Sequence, residues 1–132
     1  MNEQGFYASG MRNLTPRQAY ELCKQGAVIL DVREDYLNTF KQFNVEQVIQ
    51  IPKSKILQSL DNIPREILII VADSVGNFSG DVYKILENKG FSNLANLAGG
   101  IVDWEKDKLP IDLNKRERLS GSCMCQLKPR EK

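Results

Sequence analysis

Apolar positions along the chain alternate between short continuous runs and helical stripes. Thr15 and Gln18 form a capping box, with Pro16 at the first helical position and Leu14 and Ala19 placed for a hydrophobic staple. Ala19, Leu22 and Cys23 line one face of the predicted helix, and Gly26 stops it. Residues 27–32 (AVILDV) follow as a continuous apolar run, which suits a parallel strand covered on both faces. Tyr36, Leu37, Phe40 and Phe43 repeat at helical spacing and predict a short helix. Residues 48–51 predict a second strand closed by Pro52, and Ile56, Leu57, Leu60 and Ile63 form another helical stripe up to Pro64. Residues 66–72 (EILIIVA) are the strongest strand signal and belong at the centre of a sheet. A helix with Phe78, Val82, Ile85 and Leu86 inward runs to Gly90. Residues 93–97 give a weaker last strand, and Gly99 and Gly100 open a final helix that carries Ile101 and Trp104 and ends before Pro110. Strand–helix alternation of this kind requires crossover connections, hence an α/β fold with a parallel sheet.

The two ends break the pattern. Residues 112–132 carry six basic and three acidic side chains, with Leu113, Leu119, Met124 and Leu127 around two cysteines, and read as an appended basic tail. Residues 1–11, mixed in character and containing Gly, predict a flexible arm; no basic start leads into an apolar stretch, so no signal peptide is expected. At 132 residues the chain suits one domain. Lys plus Arg number 18 against 17 for Asp plus Glu, so no general attraction to nucleic acid or membrane is expected. The longest apolar run, residues 67–72, falls far short of the ~20 residues a membrane helix needs. Histidine is absent, which excludes Ser–His and Cys–His nucleophile pairs and His-ligated metals. Three cysteines, an odd number, read as reduced thiols in a cytoplasmic protein rather than a secreted disulfide framework. No cofactor and no metal is expected.

In open α/β sheets, ligands bind beyond the carboxyl ends of the strands. Two such ends are chemically distinctive. One carries Asp31, Arg33 and Glu34; the other is the turn Asp73, Ser74, Val75, Gly76, Asn77, Phe78 and Ser79. A tight turn from a buried strand into a helix lets several backbone N–H groups converge on one centre, and the helix dipole favours negative charge there. A nucleophile on such a turn has its anion stabilised.

With these residues the chain resembles the single-domain rhodanese-like proteins over roughly residues 12–111. The matching stretches are LTPRQAYELCKQGAVILDVRE, IIVADSVGNFSGDVYKILENKGF and NLANLAGGIVDWEKDKLP, in that order. The resemblance implies an α/β, single-domain rhodanese-like fold, its parallel sheet flanked by helices on both faces. It also implies a sulfurtransferase ancestry, in which a Cys opening the turn accepts sulfane sulfur as a persulfide and passes it to a thiophilic acceptor. The length of the turn agrees with the sulfurtransferases rather than with phosphatase relatives. Gly76 and Ser79 match the turn, Asp31, Arg33 and Glu34 match the strand-end signature, and Gly99, Gly100 and Trp104 match the closing motif. On the same resemblance, Asp73 stands where the family carries its Cys and Phe78 where it carries an Arg. Residues 43–52 replace the family's Gly-His-Ile-Pro-Gly-Ala segment.

A carboxylate cannot form a persulfide, and Asp73 is placed to fill the amide cradle as an internal anion. Two functions follow. The first is a binding or regulatory module, a pseudo-enzyme whose partner is a sulfane-sulfur donor or acceptor or another protein. The alternative is a sulfur carrier that uses the tail thiols Cys123 and Cys125, set among basic residues that favour thiolate. A silent tail, or metal or disulfide pairing between chains, is also open for these two. The plainer readings are that Cys23 is a small buried hydrophobe, that Arg33 braces strand ends through a nearby carboxylate, that Glu34 and Asp35 cap a helix N-terminus, and that Trp104 packs against the last strand.

Overall fold

The computed structural model describes residues 5–34 and 41–113. The chain runs β1 (Phe6–Ala8), β2 (Met11–Leu14), α1 (Pro16–Lys24), β3 (Val28–Asp31), β4 (Lys41–Phe43), β5 (Val48–Gln50), two 3-10 turns (Lys53–Gln58 and Leu60–Asn62), β6 (Ile69–Ala72), α2 (Ser79–Asn88), β7 (Leu94–Leu97), α3 (Gly100–Lys106) and β8 (Ile111–Leu113). Six strands form the main sheet in the order β1-β2-β7-β6-β3-β5, while β4 and β8 pair antiparallel as a small second sheet. Every pairing in the main sheet is parallel except β1 with β2.

The period of two along each strand divides the core. Ile29, Ile70, Ala72, Ala95 and Leu97 face α1 and α3, meeting Ala19, Cys23, Ile101 and Trp104. Val28, Leu30, Ile69, Val71 and Leu94 face α2 and the 3-10 turns, meeting Val82, Tyr83, Leu86, Ile56 and Ile63. Helices therefore cover both faces, and every residue of β3, β6 and β7 is buried. The capping box forms as expected, with Thr15 accepting from Gln18 N and Gln18 Oε1 accepting from Thr15 N. Trp104 donates from Nε1 to Pro110 O at 2.7 Å and makes edge contacts with Tyr20 and Phe43. Among the described residues no helix is long and apolar enough to cross a membrane.

Several expectations are corrected. Residues 6–8, read as part of a flexible arm, form an edge strand, all three of them exposed, that pairs with β2. Phe43 lies in β4, where its backbone is held by β8 rather than by a helix; Asp35 and Tyr36, Leu37 and Phe40 lie outside the described residues. The stripe Ile56–Ile63 forms two 3-10 turns because Pro52 and Pro64 leave too little chain for a stable α-helix, and Leu57 faces solvent. Asp112 and Leu113, assigned to the tail, belong to β8. Phe78, expected inward, is 55% exposed because it caps α2 from outside its first turn.

Candidate functional site

Chain order reverses around the β3–β6 pair: β3 leads outward to β5, whereas β6 leads through α2 to β7 on the other side. That switch point is where an open α/β sheet gathers a site, and two buried carboxylates mark it, one at the end of each strand.

Asp31 is the last residue of β3 and fully buried. Its carboxylate accepts from Arg33 at Nε (3.0 Å) and Nη2 (2.8 Å) and from Arg33 N at 3.1 Å. Arg33 is 4% exposed, and its Nη2 also donates to Lys41 O at 2.8 Å, which ties β4 to the end of β3. A two-residue loop thus carries its own counter-ion in bidentate geometry. Glu34 turns away and accepts from Ser54 N (3.1 Å) and Ser54 Oγ (3.0 Å), capping the first 3-10 turn.

Asp73 follows β6 and is 2% exposed. No cation meets it. Oδ1 accepts from Gly76 N, and Oδ2 accepts from Phe78 N and from Ser79 N, the last at 3.0 Å. The cradle thus closes on a side chain of its own turn, and that carboxylate also satisfies orphan N–H groups at the start of α2. Two glycines make the shape possible. Gly76 has φ +94°, and Gly100 has φ +63° with Ser74 carbonyl atoms 2.4 Å from where a Cβ would stand. The approach at Gly100 lets Ile101 N and Val102 N donate to Asp73 O (2.9 Å) and Ser74 O (3.0 Å), so the turn's carbonyls cap α3.

Around the mouth, Val75, Asn77 and Phe78 are exposed. Lys53 Nζ lies 5.1 Å from the Phe78 ring centroid and pairs with Asp81 at 2.9 Å. Lys53 was not expected here; nothing in its sequence setting marks it. Ser79 is fully buried and donates from Oγ to Asn96 Oδ1 at 2.5 Å. Asn96 was also missed, although a polar residue inside an otherwise apolar strand was a visible signal. Cys23 sits away from the turn on α1, lining a cavity of about 310 Å³ with Tyr20, Lys24, Asn44, Val45 and Glu46. Burial pushes its thiol up to about 11. Cys123 and Cys125 lie outside the described residues.

The sequence and the fold match known proteins. The rhodanese-like domain pattern matches residues 15–107. The thiosulfate sulfurtransferase GlpE of Haemophilus influenzae is 29% identical over 101 residues, spanning 76% of this chain and 94% of the relative. A rhodanese-related protein from Thermoplasma volcanium matches with a TM-score of 0.69 at 26% identity, covering 76% of this chain and 96% of that one. An NAD-dependent persulfide reductase from A. fulgidus is 32% identical with a TM-score of 0.60, covering 71% of this chain but 16% of that much larger one.

Proposed function

Because the chain belongs to the rhodanese-like domain family, we propose that it acts as a binding or regulatory module that has given up persulfide chemistry at the turn after β6. In this reading Asp73 stands where the family carries its sulfur-accepting thiol. One observation carries it: the three converging amides of the turn are taken by the Asp73 carboxylate. An incoming oxyanion meets a filled cradle and a like charge, and carboxylate oxygen has no route to a sulfane bond. The turn itself, residues 73–79, holds no cysteine and no arginine. The partner class follows the relatives named for thiosulfate and persulfide chemistry: a sulfane-sulfur donor or acceptor, or a protein that handles one. A cytoplasmic setting, where thiols stay reduced, belongs to the same reading.

The test is sulfur loading of the full chain. The protein is incubated with thiosulfate and, separately, with a polysulfide donor; intact mass is read, and thiocyanate is assayed after adding cyanide. The expected result is no added sulfur and no thiocyanate. Sulfur mapped to Cys123 or Cys125 and abolished by Cys→Ser replacement would overturn the module in favour of the tail carrier. Turnover that survives both replacements would place the chemistry on Cys23, the remaining thiol, and would likewise overturn the module.

A further inference from the structure

Ser79, Asn96 and Asn13 form a buried hydrogen-bonded chain that runs from the turn to the β1–β2 hairpin. Ser79 Oγ donates to Asn96 Oδ1 at 2.5 Å, Asn96 Nδ2 donates to Asn13 Oδ1 at 2.8 Å, and Asn13 Nδ2 donates to Met11 O at 3.1 Å and Ala8 O at 3.4 Å. The three residues are 0%, 5% and 6% exposed. Such a network is costly when broken, because each partner left behind is a buried polar group without water.

The chain also has a direction, and the hairpin sets it. Backbone carbonyls can only accept, so Met11 O and Ala8 O hold the amide nitrogen of Asn13 toward themselves. Asn13 then presents its oxygen to Asn96, Asn96 must answer with its nitrogen, and its oxygen is left to face Ser79. The Ser79 hydroxyl proton is thereby committed to Asn96. Ser79 offers Asp73 its backbone N–H alone. The hairpin contacts α2 independently: Met11 packs against Gly80, Arg12 N donates to Tyr83 OH at 3.2 Å, and Lys84 Nζ donates to Ser9 O at 2.9 Å.

We infer that the β1–β2 hairpin controls the state of the Asp73 turn through this amide chain, with Asn13 and Asn96 as positioning residues for Ser79. While the chain is intact, Ser79 is fixed and the cradle stays closed on Asp73. When the hairpin end is released, Asn13 and Asn96 lose their fixed polarity, the Ser79 hydroxyl regains a choice of acceptor, and the turn loosens. The sheet edge at β1, whose residues are all exposed, thereby becomes the handle on the site. This inference rests on the closed-turn reading above and adds its regulation.

Amide hydrogen exchange on the full chain tests it by NMR. Asn13→Leu breaks the chain at its origin, and exchange at Gly76, Phe78 and Ser79 is expected to rise roughly tenfold or more while Ile70 and Val71 in β6 keep their protection. Asn13→Asp gives up the bonds to the hairpin carbonyls but can present only an acceptor to Asn96 Nδ2, so the polarity through which the hairpin acts is kept, and the variant is expected to loosen the hairpin yet leave the turn amides protected. Unchanged turn amides in Asn13→Leu, or equal loosening by both variants, would overturn the inference. Should Asn13→Leu fail to fold, Ser79→Ala decides: the expected rise at Gly76 and Phe78 supports the chain, and none refutes it. These readouts do not involve sulfur. Failure of the module reading would appear in the loading assay and leave the exchange pattern intact.

Discussion

Asp31 and Asp73 end neighbouring parallel strands, both are buried, and each is neutralised by a different part of the chain. Asp31 is met by a guanidinium two residues on, in a pair whose two side chains are 0% and 3% exposed. Asp73 is met by backbone N–H groups and the start of a helix. The first arrangement is a buried ion pair: charge cancels charge, and the Arg33 fork also holds Lys41 O. The second is an anion site that happens to be filled from within. Side-chain pairing builds a brace, whereas amide convergence builds a receptor, and only the second changes role when one side chain is replaced.

The largest expected effect comes from breaking the brace. Arg33→Ala leaves the Asp31 carboxylate buried with a single backbone donor, and removing one partner of such a pair costs about 3–5 kcal/mol. Denaturant unfolding followed by circular dichroism measures this; a loss below about 1 kcal/mol would show that the pair is not a brace. Next comes the receptor. Asp73→Ala orphans three amides at the edge of solvent, with an expected loss of about 1–3 kcal/mol. The emptied cradle should then take up a small anion. Sulfate or thiosulfate at millimolar concentration should raise the melting temperature of Asp73→Ala and leave the unaltered protein where it was. Equal response of the two proteins would erase the distinction between brace and receptor.

How much of this the sequence made legible depends on how local the determining forces are. The capping box at Thr15, the apolar runs of β3 and β6 and the stop at Gly26 depend on nearest neighbours, and they read correctly. The expectations that Asp73 fills the amides of its own turn and that Arg33 pairs with a nearby carboxylate agree with the geometry, since the partners are within a few residues; that this carboxylate is Asp31 was not read from the sequence. What escaped has long-range causes. Phe43 repeats at helical spacing with Tyr36 and Phe40, yet its backbone is claimed by Ile111, far along the chain. Phe6–Ala8 carries no apolar pattern and becomes a strand only because β2 offers an edge. Asn13 and Asn96, 83 positions apart, meet only once β2 and β7 pair in register. Lys53 reaches the mouth of the turn only because β5 and the 3-10 turn place it there.

Cys23 supplies the control that sharpens the comparison, since it is a buried titratable group whose charge is opposed by desolvation. Desolvation alone acts, raising the thiol from 9.0 to about 11. The sign follows from linkage. Between those values the unfolded chain has released the proton and the folded chain still holds it, so stability falls as pH rises from about 9 to about 11 and is untouched below. Cys23→Ala should therefore unfold with a shallower pH dependence than the unaltered protein above pH 9, while the two behave alike in this respect near neutrality. The same burial makes the thiol slow toward a disulfide reagent at pH 7.5, with labelling gated by opening of α1 from the sheet. If Cys23 reacts at neutral pH as fast as an unfolded-chain thiol, burial is not what governs it. The contrast with the two aspartates would then lose its reference, because all three groups would have to be compared by access to solvent rather than by what stabilises their charge.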